Sequence, residues 1–277
     1  MSSSFLARIV ATILIFDWQE IMKILILMSY YQRPKLVQNA LNSILKANEH
    51  HSNWELGFLD DNSKIPGRPI VEEILKDHLD KVTFVQSNMT LNQKLDQGLM
   101  LGKFANEHIA GSNADIAFIL CDDDEITSTY MKGLDEFFTR HSEVLYCYSK
   151  VHLYNPLFQD SSSVNNVSGK YNSWNVPINP VNRVDASQVA WRLDCCKVHG
   201  AWFQESTQFV PEKPWTKDTD KSFFENLYEK CGDCYPSGLI GQYKGVHDYQ
   251  LLWHKNVPAS SLSKYDQVLQ KLGGVEF

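Results

Sequence analysis

The sequence predicts an α/β protein built on an open, mostly parallel, twisted sheet flanked by helices, and three observations lead there. Uninterrupted apolar runs recur in the first half of the chain, among them "KILILM" at 23–28 and "IAFIL" at 116–120. Strands buried on both faces read this way. Between them lie segments whose apolar residues return every three or four positions, as on a helix with one covered face. The two patterns alternate, which gives parallel strands joined by right-handed crossovers. In such sheets ligands collect beyond the carboxyl ends of the strands.

The first strand is "KILILM". Arg33-Pro34 then places proline where a first helical turn tolerates it, and Leu36, Val37, Ala40, Leu41, Ile44 and Leu45 form one stripe. A second strand, "WELGFLD" at 54–60, leads through a polar turn with Asn62, Ser63, Pro66 and Gly67 into a short helix over 70–79. "VTFV" at 82–85 is the next strand, 91–108 the next helix and "IAFIL" the strand after it. Beyond "EVLYCYS" at 143–149 the composition changes. Residues 155–182 are rich in Asn, Ser, Pro and aromatics and read as a long excursion over a sheet edge. Its Tyr171 and Trp174, with Trp191, suit a ring-bearing ligand only if they converge on a pocket. Residues 216–230 read as a helix with Phe223, Phe224, Leu227 and Tyr228 on its apolar side. The expected organisation is an apolar extension over 1–22, a ligand-binding half over 23–150, and a remainder of the same domain over 151–277.

A hydrophobic fraction of 43% with 21% charged residues is ordinary globular composition. The formal charge of -7 gives no general attraction for nucleic acid or an anionic membrane. Six cysteines in a chain of this size fit a reducing compartment rather than a disulfide framework. Cys231-Gly-Asp-Cys234 has redox or zinc spacing, with Cys195-Cys196 as candidate partners, but ordinary free thiols are the preferred reading. "FLARIVATILIF" at 5–16 is shorter than the ~20 residues a spanning helix needs. It reads as an added terminal helix or a dispensable extension, with peripheral contact at a membrane left open. The expected location is cytoplasmic, the cytoplasmic membrane face included.

The densest chemistry lies in "FILCDDDEI" at 118–126, where three aspartates and Glu125 follow a buried strand. Like charges so close repel unless a cation, donors or water compensate them. A turn can direct Asp122 toward a hydroxylated ligand and Asp124 toward a divalent cation. Mg2+ and Mn2+ prefer oxygen ligands, and a pyrophosphate can complete their shell. A solvated acidic turn ahead of a helix is the plainer alternative.

"SYYQRP" at 29–34, "LDDNS" at 59–63 and "LCDDD" at 120–124 each follow a strand and should open on one rim. In this order they resemble the nucleotide-sugar half of GT-A glycosyltransferases, specifically the inverting family 2, over about residues 23–150 and more loosely toward 262. The resemblance implies a GT-A fold with a C-terminal acceptor-side region, a nucleoside-diphosphate sugar as donor and Mn2+ or Mg2+ as cofactor. It implies that Tyr31 packs on the base, that Ser29 bonds near the base or ribose, and that Asp60 or Asp61 accepts a base N–H. Arg33 matches the arginine of the first motif. Asp122 matches the ribose or diphosphate side and also counts among the metal residues, Asp124 matches the metal ligand, and Asp123 contributes or orients the turn. Tyr30 and Gln32 depart from the family pattern.

The same resemblance places a general base near the start of a late helix. The matching stretch, "WTKDTDKSFF" at 215–224, makes Asp218 the first choice and Asp220 the second, although Lys217 stands where glutamate is common. "LLWHKNVPASSLSK" resembles a late family segment and offers His254 as a further metal ligand, with His247 as competitor. A carboxylate base would take the acceptor hydroxyl's proton as its oxygen attacks the anomeric carbon. The implied activity is inverting transfer from a UDP-sugar, or another nucleoside-diphosphate sugar, to a carbohydrate or other hydroxyl-bearing acceptor. A sugar-phosphate nucleotidyltransferase is the alternative enzyme, disfavoured because no Gly-rich, lysine-containing phosphate loop follows the first strand. A noncatalytic carbohydrate-binding protein is the alternative outside enzymes.

Overall fold

The computed structural model describes residues 21–89, 100–154, 175–204 and 219–245. In chain order the elements are β1 (Ile24–Tyr30), α1 (Pro34–Asn48), β2 (Trp54–Asp60), α2 (Gly67–Ile74), a 3-10 turn (Lys76–Lys81) and β3 (Val82–Gln86). Then come α3 (Met100–Gly111), β4 (Ile116–Ile119), β5 (Glu125–Ile126), α4 (Tyr130–Arg140) and β6 (Tyr146–Tyr154). A 3-10 turn (Ala186–Gln188), β7 (Val189–Arg192), α5 (Asp194–Lys197), α6 (Thr219–Cys231) and β8 (Tyr235–Gly245) complete them.

The eight strands of the described residues form one sheet in the order β3-β2-β1-β4-β7-β6-β8-β5. The pairings put β1–β4, β6 and β8 in one direction and β5 and β7 in the other. The expected mostly parallel sheet is therefore present, and it draws strands from both sides of residue 150. Strand side chains alternate between faces, and β1 shows the consequence. Ile24, Ile26, Met28 and Tyr30 pack with α1 and α4 in one core, while Leu25 and Leu27 pack with Phe104, Trp191 and Phe223 in the other. A strand covered on both sides has no polar position to spare, hence the unbroken apolar run.

The helices follow their stripes. Leu36, Val37, Ala40, Leu41 and Ile44 are the buried residues of α1, with Pro34 in its first turn. In α6, Phe223 stacks on Phe203 with centroids 3.7 Å apart and meets the Trp191 ring edge-on at 5.0 Å. That contact fixes α6 against the β4–β7 part of the sheet. Three strands escape the pattern expected from sequence, the two-residue β5, β7 and the 11-residue β8. β8 contains Pro236, Gly238 and Gly241, residues depleted in strand interiors. Gly238 has φ +75°, and a Cβ on Gly241 would lie 2.8 Å from the Tyr130 ring. Both glycines thus serve the backbone path, where β8 changes register against β6.

Candidate functional site

The carboxyl ends of β1, β2 and β4 lie side by side, since Tyr30 pairs with Asp60 and Leu27 with Ile119. The loop after β1 turns sharply at Gln32, whose φ is +60°. Tyr30 and Tyr31 separate there. The Tyr30 ring is fully buried and its hydroxyl donates to Ile65 O at 2.9 Å, whereas Tyr31 is 40% exposed on the rim. Burial pushes the Tyr30 hydroxyl pKa up, with Asp60 and Asp122 adding to it, so it stays a neutral donor. Ser29 is half-buried beside Leu59, on the face that carries Leu25 and Leu27.

The two aspartates after β2 are not equivalent. Asp60 is 3% exposed and accepts Ser63 N–H at 2.9 Å on Oδ1 and Gly67 N–H at 2.7 Å on Oδ2. Its carboxylate therefore holds the 61–67 loop in place. Asp61 is half-buried at the rim, its N–H on Tyr30 O, and Ser63 Oγ accepts Gln32 N–H at 3.1 Å to tie the first loop to the second.

After β4 the chain closes a tight turn, Asp124 N–H to Cys121 O at 3.1 Å, before β5. Asp122, Asp123 and Asp124 are 4%, 7% and 1% exposed, so water alone does not relieve their repulsion. Arg33 does part of it. Its Nη1 lies 3.1 Å from Asp122 Oδ1 and 2.5 Å from Asp123 Oδ2, and Tyr31 N–H donates to Asp122 Oδ2 at 3.0 Å. The second cation is Lys244, near the end of β8, 3.6 Å from Asp124 and 2.9 Å from Asp185. Parallel β8 brings Lys244 to the same rim, and antiparallel β7, entered through the turn that Asp185 caps, brings Asp185 there. Neither residue stands out in the sequence.

Burial alone would lower the Lys244 pKa, but Asp185 and then Asp124 hold it well above the ordinary lysine value. Burial alone would raise Asp185, and Lys244 with the Ser187 donors brings it below the usual carboxylate range. At formal charges Asp122, Asp123, Asp124 and Asp185 with Arg33 and Lys244 sum to minus two. A site of this net charge accommodates one divalent cation.

The residues present fit such an ion. Cys121, Asp123 and Asp124 each offer a ligand atom, and these atoms all lie within 4.8 Å of one another. Asp122 faces Arg33 and the Tyr31 N–H instead. Burial pushes the Cys121 thiol up, and Asp124 adds to it. Among the described residues no other group of three such side chains meets this spacing. Cys195 Sγ donates to Leu145 O at 3.3 Å and Cys196 Sγ to Ala201 O at 3.0 Å.

Asp220 lies in the first turn of α6 and is half-buried. Asp218, His254, His247, Tyr171 and Trp174 fall outside the described residues. No helix among the described residues is long and apolar enough to cross a membrane.

No protein-family model matches the sequence, and no curated protein matches it. Solved structures do. S. aureus TarS matches with TM-score 0.58 at 16% identity, over 84% of this chain and 38% of that one. S. aureus TarS 1-349 in complex with UDP-GlcNAc matches with TM-score 0.59 at 16% identity, over 82% of this chain and 59% of that one. The mannosyltransferase PcManGT from Pyrobaculum calidifontis, in complex with GDP-Man and Mn2+, gives TM-score 0.50 at 14% identity, over 86% and 63%. The chain thus spans less than two thirds of each of these relatives. At such identities the likeness speaks for architecture, and the architecture is that of a GT-A glycosyltransferase.

Proposed function

We propose that the protein is an inverting, metal-dependent glycosyltransferase of family 2 type that moves a sugar from a nucleoside-diphosphate sugar, with UDP-sugars favoured, to an acceptor hydroxyl. The observation that best supports this is the rim itself. Three strand-end loops, β8 and the Asp185 turn meet there, and the ion-paired groups Asp122, Asp123, Asp124, Asp185, Arg33 and Lys244 sum to minus two. A nucleoside diphosphate adds negative charge and can enter such a site only with a cation.

In this reading the exposed Tyr31 ring packs on the base and Ser29 bonds near the base or ribose. Asp61 accepts the base N–H, because both Asp60 oxygens already serve backbone donors. Asp122, oriented by Arg33 and the Tyr31 N–H, faces the ribose or diphosphate. Asp123 and Asp124 hold Mn2+ or Mg2+, with His254 as a further ligand. The bound ion would neutralise charge growing on the leaving diphosphate. Asp218 or Asp220 takes the acceptor proton, and no covalent sugar intermediate is needed.

The packing of α6 suits the base assignment. Gly232, just past its end, receives the Tyr146 hydroxyl at the start of β6, on the side of the sheet away from the rim. A helix rising 1.5 Å per residue carries Asp220 roughly 16 Å from Cys231.

The test is a nucleotide-sugar panel with Mn2+ or Mg2+, reading release of free nucleoside diphosphate. Pyrophosphate release would indicate nucleotidyl transfer, and absence of nucleoside-diphosphate binding would refute the reading. Asp218→Asn together with Asp220→Asn should lower turnover by about 10²–10⁴ while leaving nucleotide binding intact.

A further inference from the structure

We propose that Cys121 is a sulfur ligand of the cation site, tuning it toward thiophilic divalent metals such as Zn2+, Co2+ and Cd2+ and away from Mg2+. This rests on the acidic turn being a metal site, and adds a donor that an all-oxygen Asp-x-Asp arrangement lacks. The turn geometry carries it. Asp124 N–H bonded to Cys121 O brings the first and fourth residues of the turn together. Sγ of Cys121 and carboxylate oxygens of Asp123 and Asp124 come within 4.8 Å of one another, which two ligands on one small ion can bridge. Both aspartates are buried and Cys121 is half-buried, so the three donors converge on an interior point. Asp122 is not in this set; its two oxygens meet Arg33 and the Tyr31 N–H, and Arg33 also reaches Asp123 Oδ2 at 2.5 Å. The sulfur stands where a third carboxylate would otherwise be required.

The chemistry sets the class of ligand. Mg2+ demands oxygen donors in near-octahedral geometry and keeps its waters, whereas a thiolate favours softer first-row ions and cadmium. Each metal–sulfur bond forms as the thiol proton leaves to water, with no change in oxidation state. Lys244 need not leave, since it retains Asp185 at 2.9 Å.

Cobalt reports a sulfur ligand directly. The full chain titrated with Co2+ should develop visible d–d bands and a near-ultraviolet sulfur-to-cobalt charge-transfer band. Cys121→Ser should keep the d–d bands and lose the charge-transfer band. It should weaken Co2+ and Cd2+ binding at least about tenfold, since outer-shell changes alone cost about 10–100-fold, and leave Mg2+ binding unchanged. Cys231→Ser should keep the charge-transfer band, and Asp124→Asn should lose it. The last variant decides the matter even if Cys121→Ser fails to fold. Cobalt binding without a charge-transfer band, or with a band that survives Asp124→Asn, overturns the sulfur ligand and leaves the metal site standing. No cobalt binding at all overturns both.

Discussion

Adjacent aspartates at 60 and 61 should fail in opposite ways when truncated. Asp60→Ala removes two charge-assisted bonds, to Ser63 N–H at 2.9 Å and Gly67 N–H at 2.7 Å, from a residue only 3% exposed. At about 1.5–3 kcal/mol each, the gross loss is about 3–6 kcal/mol. Asn62, Lys64, Ile65 and Pro66 are exposed, so water reaches part of the freed loop. We therefore expect a loss of about 3–4 kcal/mol, a large share of the ~5–15 kcal/mol that holds a domain folded. With a urea slope of about 2–3 kcal/mol/M, the midpoint should fall by roughly 1–2 M. Asp61→Ala, at the half-buried neighbour, should cost under about 1 kcal/mol and instead weaken UDP binding. Tryptophan fluorescence in urea and calorimetric UDP titration separate the two. An Asp60→Ala protein as stable as the parent, or an Asp61→Ala protein equally destabilised, refutes the division of roles.

Arg33→Met leaves Asp122 and Asp123 facing each other without their shared guanidinium. Since the Arg33 side chain is 27% exposed, the cost should be about 2–3 kcal/mol, below that of a fully buried pair. Mn2+ should restore part of it in chemical denaturation. His51 is 4% exposed, and its folded pKa is lowered because burial outweighs the opposing pull of Asp135. The unfolded chain binds this proton near pH ~6.5, so stability is full above that value and is lost as pH falls through the lowered folded pKa. Thermal melts between neutral and mildly acid pH should show this fall, and His51→Gln should flatten it. Gly67→Ala would put a Cβ 2.7 Å from both the Phe58 and Tyr30 rings. Such overpacking costs about 1–3 kcal/mol, so unchanged urea unfolding would show that the rings yield freely.

Much of the architecture of the first half is legible residue by residue. "KILILM", "WELGFLD" and "IAFIL" become β1, β2 and β4 because double-sided burial leaves a continuous apolar run. The strand-end positions of Tyr31, Asp61 and the 122–124 turn follow from that alternation. β8 was not legible, because the proline and glycines of "YPSGLIGQYKG" read locally as a loop. Pairing with β6 and β5 overrode local propensity, the usual outcome where a sheet supplies the missing hydrogen bonds. The split between Asp60 and Asp61 is likewise closed to the sequence, since nothing in it shows which carboxylate faces the backbone donors at Ser63 and Gly67.

By itself the sequence determined which strands are covered on both sides and which residue types stand at their ends, because hydrophobic periodicity and turn chemistry are local properties. Tertiary structure decided how the charges of "CDDDE" are balanced. Lys244 lies 120 residues downstream of Asp124 and Asp185 lies 61 downstream, yet both reach the same turn. Compensation of a buried charge depends on distance in space, and only a sheet that threads β8 beside β6 and runs β7 backward brings those side chains to the rim.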